Sequence, residues 1–140
     1  MSHLSARSSR FLRIAAVAVM ATFASHSFAG TVALTGANEV PPVDTTAVAN
    51  GTITVAPDGS VSGSVKTSGI DGTMAHIHIA AVGKNGPVII PLSKDGDSWV
   101  VPAGAKLTDE QLKAYQAGEL YVNVHSAAHK GGEIRAQLTP

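Results

Sequence analysis

Two histidines spaced two residues apart, His76-Ile77-His78, sit inside an alternating run over residues 74–80. In an extended strand, residues i and i+2 project to the same face. Both imidazoles therefore point one way while Ile77 and Ile79 point the other. Neutral imidazole ligates zinc and copper through a ring nitrogen at about 2.0–2.1 Å, so this pair is half of a metal clamp. His125 and His129 lie in a second short segment that a fold can bring near the first. The candidate metal ligands are thus His76, His78, His125 and His129, with copper or zinc as the ion. Met74 shares the face of His76 and His78, and its thioether suits a cuprous ion. Asn123, Glu133 and Arg135 fall on the polar faces of nearby strands, where they would orient a ligating histidine. Arg135 is also suited to contacting an anion.

Each of these residues has a plainer reading. Paired strand histidines are often solvent-facing, and Met74 in a strand is usually packing. Glu133 and Arg135 would then be a surface cross-strand ion pair worth under about 1 kcal/mol. The sequence contains no Ser/His/Asp arrangement, no paired-carboxylate acid/base set and no phosphate-cradling glycine loop, so no catalytic residue is assigned.

These side chains need a scaffold, and its start is marked by an export pattern. Arg7, Arg10 and Arg13 precede a short apolar stretch over residues 14–23, and Ser27-Phe28-Ala29 offers small residues at the positions a signal peptidase reads. The apolar stretch is too short for a membrane span of roughly 20 residues. Residues 1–29 are therefore expected to be a removed signal peptide. Residues 30–140 would form one domain with no membrane anchor, in a periplasm or secreted. The mature chain would carry seven basic and ten acidic residues. That mild negative charge disfavours nucleic acid as a partner. With no cysteine in the chain, thiolate-ligated copper, iron–sulfur clusters and cysteine zinc sites are excluded. An exported domain without disulfides must be held by packing alone.

The mature chain alternates short apolar-patterned runs with turn chemistry. Strands are expected at residues 31–35, 48–55, 60–67, 74–80, 88–90, 98–101, 120–125 and 133–138. Pro57-Asp58-Gly59 and Asp95-Gly96-Asp97 read as tight turns. In Asn85-Gly86-Pro87, Gly86 is expected to supply an unusual φ. One helix is signalled over about residues 109–117, with Thr108 as N-cap, Gln111 closing a capping box and Leu107 and Leu112 forming a staple. In the last two strands, Leu120, Val122, Val124, Ile134, Ala136 and Leu138 are expected to face the core. Tyr121, Asn123, His125, Glu133, Arg135 and Gln137 would face out. The fold class is all-β: an antiparallel Greek-key sandwich or barrel of about eight strands with one short helix.

Several stretches together resemble the CHRD domain family, the module repeated in chordin and found singly in exported bacterial proteins. They are Leu34-Thr35-Gly36-Ala37-Asn38-Glu39-Val40-Pro41-Pro42, His76-Ile77-His78 and Asn85-Gly86-Pro87-Val88. Leu120-Tyr121-Val122-Asn123-Val124-His125-Ser126 and Gly132-Glu133-Ile134-Arg135-Ala136-Gln137-Leu138 complete the set. The resemblance spans nearly the whole mature chain. It implies an exported all-β domain and carries over no catalytic residue. A weaker likeness, to copper/zinc superoxide dismutase, rests on fold class and one His-x-His tripeptide. Here the long ligand-bearing loop and the anchoring disulfide of those enzymes are missing.

Three functions follow as expectations. The first is metal buffering or handling outside the cytoplasm through the histidine cluster. The second is a non-catalytic structural or protein-interaction module with incidental histidines, and the third is a dismutase-like enzyme. No protein partner or oligomeric state is specified by the sequence.

Overall fold

Alternation of apolar and polar residues with period two gives strands whose inner faces close on one another. The computed structural model describes residues 28–140. The expected signal segment lies outside the described residues except for Phe28 and Ala29, whose backbone opens the first strand. The strands are β1 (Phe28–Thr35), β2 (Val48–Val55), β3 (Val61–Ser68), β4 (Gly72–Ile79), β5 (Val88–Pro91), β6 (Ser93–Asp95), β7 (Ser98–Val100), β8 (Leu120–Ser126) and β9 (Ile134–Leu138). A 3-10 turn, Gly36–Asn38, follows β1, and among the described residues one α-helix, α1 (Asp109–Gln116), precedes β8.

All nine strands form one antiparallel sheet in the order β5-β4-β8-β9-β1-β2-β3-β7-β6. The strand beyond the expected eight is β6. It matters because only Leu92 separates it from β5, so the chain itself steps from one edge of the sheet to the other. The Leu92 amide donates to the Ala75 carbonyl (2.9 Å), and Lys94 Nζ donates to the Gly72 carbonyl (2.8 Å). The sheet is thereby curled into a nearly closed barrel, which leaves little open edge.

The barrel interior is filled by the apolar phase of each strand. Leu34, Val65, Val122, Val124 and Ile134 are fully buried, and Ile77, Trp99, Leu120 and Leu138 pack with them. Burial of each such side chain contributes roughly 1.5–3 kcal/mol. Helix α1 forms where its caps dictate. Thr108 Oγ1 accepts from the Gln111 amide (3.2 Å), and Gln111 Oε1 accepts from the Thr108 amide (2.9 Å). Leu107 and Tyr115 anchor it to the barrel.

The outward phase of β8 and β9 corrects the sequence expectation. Every residue of β8 is buried, including Tyr121, Asn123 and His125, and so are Glu133 and Arg135. Loops cover this face. Asn85 Nδ2 donates to the Val40 carbonyl (2.8 Å), Gln137 Nε2 donates to the carbonyls of Ala80 (2.9 Å) and Gly118 (2.8 Å), and Thr45 Oγ1 donates to Glu133 (2.7 Å). A second, polar layer therefore lies outside the barrel wall. The expected surface ion pair between Glu133 and Arg135 is not formed, because each side chain is claimed by a different loop.

Candidate metal centre

The register of β4 against β8 assembles the site. Met74 stands opposite His125, His76 opposite Asn123, and His78 opposite Tyr121. Directly opposed residues share a face, so the His-x-His pair meets His125 even though 46 residues lie between His78 and His125 in sequence. An irregularity between Gly72 and Met74 sets this alignment. The result is three imidazoles whose donor atoms all lie within 4.8 Å of one another. His78 and His125 are buried, at 7% and 6% exposure, and His76 is half-buried at the mouth.

Hydrogen bonds decide which nitrogen of a ring carries its hydrogen. His125 Nδ1 lies 2.8 Å from the Lys130 carbonyl. A carbonyl only accepts, so Nδ1 carries the hydrogen and the neutral ring presents a lone pair at Nε2. That lone pair receives Nδ1–H of His76 at 3.0 Å. Two imidazole nitrogens on one ion at about 2.0–2.1 Å stand roughly 3.3–3.6 Å apart in tetrahedral or trigonal geometry. A few tenths of an ångström of opening would therefore seat an ion between them. On binding, the His76 hydrogen would move to its other nitrogen.

His78 is held from both sides. Its Nδ1 donates to the Gly86 carbonyl (2.9 Å), and its Nε2 lies 2.9 Å from Asn123 Oδ1. Asn123 Nδ2 donates in turn to Glu39 Oε1 at 3.4 Å. Two proton arrangements satisfy this chain. In one, a charged His78 donates to Asn123 and Glu39 is a carboxylate. In the other, the amide is turned over, His78 is neutral and Glu39 carries the proton. Both hold the same number of protons, so His78, Asn123 and Glu39 together are neutral either way. Burial favours the second arrangement. It pushes Glu39 above the usual carboxylate range, against the opposing pull of Asn123, Arg135 and the Val40 backbone. Burial likewise holds His78 below the usual histidine range, although the Gly86 and Asn123 bonds work the other way and His125 and Arg135 add to the depression. His76 is lowered too, first by burial and then by the charges of His125 and His78. Depressed imidazoles keep their lone pairs at neutral pH, as a metal ligand must.

Behind His78 is a stack. Its ring lies parallel to Tyr121, 2° between planes with centroids 4.6 Å apart, and the Arg135 guanidinium carbon lies 3.4 Å over the far face of Tyr121. Arg135 donates to the Lys84 carbonyl (2.7 Å) and to Asn85 Oδ1 (3.2 Å), which ties the stack to the loop that supplies Gly86. Gly86 is required here for close approach: a Cβ would collide with the Ile79 carbonyl oxygen. Its φ lies outside the left-handed region, contrary to the sequence expectation.

The structure thus brings His76, His78 and His125 together, with Asn123 directly behind them and Arg135 behind Tyr121. Met74 is 48% exposed beside the mouth. His129 lies apart in the loop between β8 and β9, where its backbone amide donates to Ser126 Oγ (3.1 Å). Glu133 also stands off the trio. Burial disfavours its charge, yet hydrogen bonds from Ser126 and Thr45 and the charge of His129 outweigh that and hold it below the usual carboxylate range. Sequence reasoning missed Glu39, Tyr121, Gly86 and Lys130 as supports. Tyr121 had a readable signal, since it alternates with Asn123 and His125 on one strand face.

Chemically, the trio places three imidazoles where a borderline or soft transition metal ion could sit, His78 joining through Nε2 once that atom parts from Asn123. Among the described residues, no helix is long and apolar enough to cross a membrane. No curated protein and no solved structure matches the chain. The family model of the CHRD domain matches residues 30–138. With register, barrel and histidine face in place along that same span, the chain belongs to the CHRD domain family.

Proposed function

We propose that this domain binds a transition metal ion, copper or zinc, through His76, His78 and His125, and that it buffers or hands on that metal outside the cytoplasm. One observation carries the reading: three imidazoles from two strands converge within 4.8 Å, and the Lys130 carbonyl fixes His125 with its Nε2 lone pair turned inward. A backbone acceptor on the far nitrogen of a histidine is the usual means of aiming a metal ligand. Export is supported by the basic, apolar and small-residue pattern ahead of Gly30. The test is metal stoichiometry by mass spectrometry on the purified protein and on a His76→Ala/His125→Ala variant. One ion per wild-type chain and none on the variant is the expected result. Equal metal content in both sinks the proposal.

A second reading is favoured by a separate observation. The rings already satisfy one another, His76 on His125 and His78 on Gly86 and Asn123. Such a network can serve only to lock the loops of a structural or interaction module. In that case the same variant would lose stability with no change in metal content. A dismutase activity would further require superoxide turnover by the metal-loaded protein.

A further inference from the structure

Resting on the metal-binding reading above, we infer that the ion selected by this site is the cuprous ion, and that Met74 is the ligand through which it enters and leaves. Charge is the first argument. The donor set is three imidazoles and contains no carboxylate, so nothing in it offsets the charge of the ion. The buried acid hydrogen-bonded toward the set, Glu39, reaches it through the Asn123 amide. On the other side, the buried Arg135 cation lies one aromatic ring behind His78. A divalent ion would place twice the uncompensated charge of a monovalent one in this half-buried setting.

Coordination is the second argument. Structural zinc sites hold four ligands, and catalytic ones fill the fourth position with water or substrate. A cuprous ion is content with two or three soft or borderline donors. The 3.0 Å approach of His76 Nδ1 to His125 Nε2 supplies the first two, and His78 borders them.

Met74 is the third argument. It stands opposite His125 in the β4–β8 register and two residues from His76. Opposed Cβ atoms lie about 4.5–5.5 Å apart, and three rotatable bonds let the thioether swing over the mouth. At 48% exposure it is a large apolar side chain left in water beside a buried polar cluster. A thioether is a soft donor that suits cuprous ion and is not among the usual ligands of zinc, so at this boundary it is a weak, exchangeable ligand. Transfer then proceeds by ligand exchange with no change of oxidation state.

The experiment supplies cuprous ion anaerobically as its complex with bicinchoninate, and zinc ion separately, to the purified full-chain protein. Wild type should strip cuprous ion from the chelator and hold it about 100-fold or more tighter than zinc. Met74→Leu, a surface change that leaves the barrel intact, should slow transfer of cuprous ion both from and to the chelator by about tenfold, with zinc affinity unchanged. Zinc binding as tight as cuprous, or a Met74→Leu protein indistinguishable from wild type toward cuprous ion, overturns the inference while leaving metal binding standing. Retention of neither ion by wild type removes the metal-binding reading itself.

Discussion

The rings of His78 and Tyr121 lie 2° from parallel with centroids 4.6 Å apart. This pair joins two systems. On one side His78 belongs to the imidazole trio; on the other, Tyr121 carries the buried Arg135 guanidinium at 3.4 Å. The orientation of a candidate ligand is therefore set by a cation two strands away, and the loop that covers the site is fastened to that same cation.

Arg135 should accordingly be among the most sensitive positions in the chain. Arg135→Ala removes the cation–π contact and leaves the Lys84 carbonyl and Asn85 without their donor. The expected loss is about 2–4 kcal/mol of unfolding free energy. Arg135→Lys keeps the charge but not the planar fork and should recover less than half of it. Urea unfolding midpoints measure both. A loss below about 0.5 kcal/mol for the alanine variant, the range of an ordinary surface change, would show that the stack is incidental.

Adjacent glycines offer an internal comparison. Gly132 has φ +125°, and a Cβ there would run into Glu39 Oε1 and Asn123 Nδ2. A Cβ on Gly131 meets nothing within 4 Å. Gly132→Ala should therefore destabilise by roughly 1–3 kcal/mol and disturb the Asn123 link to His78. Gly131→Ala should be close to neutral. Thermal midpoints of the two variants side by side test this, and equal midpoints contradict it.

Much of the barrel was legible because its signals are local. Alternation in Val61-Ser62-Gly63-Ser64-Val65 gave β3, Pro57-Asp58-Gly59 gave its hairpin turn, and Thr108 with Gln111 gave the start of α1. The face shared by His76 and His78 was likewise readable from period two. What alternation cannot tell is whether the polar phase of a strand meets water or a loop. On β3 that phase is Ser62, Ser64 and Lys66, and it is largely solvent-facing. On β8 it is Tyr121, Asn123 and His125, and it is buried. The difference is visible in residue type: large side chains with several hydrogen-bonding atoms need partners that short serines do not. The meeting of His125 with His76 depended on strand order, a non-local property that sequence spacing leaves open. His129, although only four residues from His125, is carried away by the turn after β8.

Acid should unsettle the site before it unsettles the rest of the domain. His76 and His78 titrate below their ordinary value of 6.5 in the folded state. For a base depressed by folding, the unfolded chain takes up protons first. The associated stability is complete above about pH 6.5 and drains as pH falls from there through the folded values. Glu133, also depressed, contributes stability lost only below about its ordinary 4.5, so the two windows are separable. The thermal midpoint should decline from about pH 6.5 downward, and His76→Gln should flatten that first decline. A midpoint unchanged until carboxylates titrate would contradict the assignment. Metal affinity should fall over the same upper window, because protons compete for the ligand nitrogens.

Glu39 should show the opposite sign. It is 4% exposed and titrates above its ordinary 4.5 in the folded state. The unfolded chain therefore releases this proton first, and the folded state loses ground as pH rises from about 4.5 through the folded value. Glu39→Gln cannot ionise, yet its side-chain amide can donate to Asn123 as the protonated carboxyl does in the neutral arrangement. Below pH 4.5 the variant and wild type should be nearly equal in stability. Above it the variant should gain on wild type, and the gap should level off once Glu39 is ionised in both states. Urea unfolding at pH 4 and pH 8 compares the two ends. A gap that is the same at both would mean that Glu39 ionises as easily beside Asn123 as in water, and the neutral arrangement of the His78 chain would lose its basis.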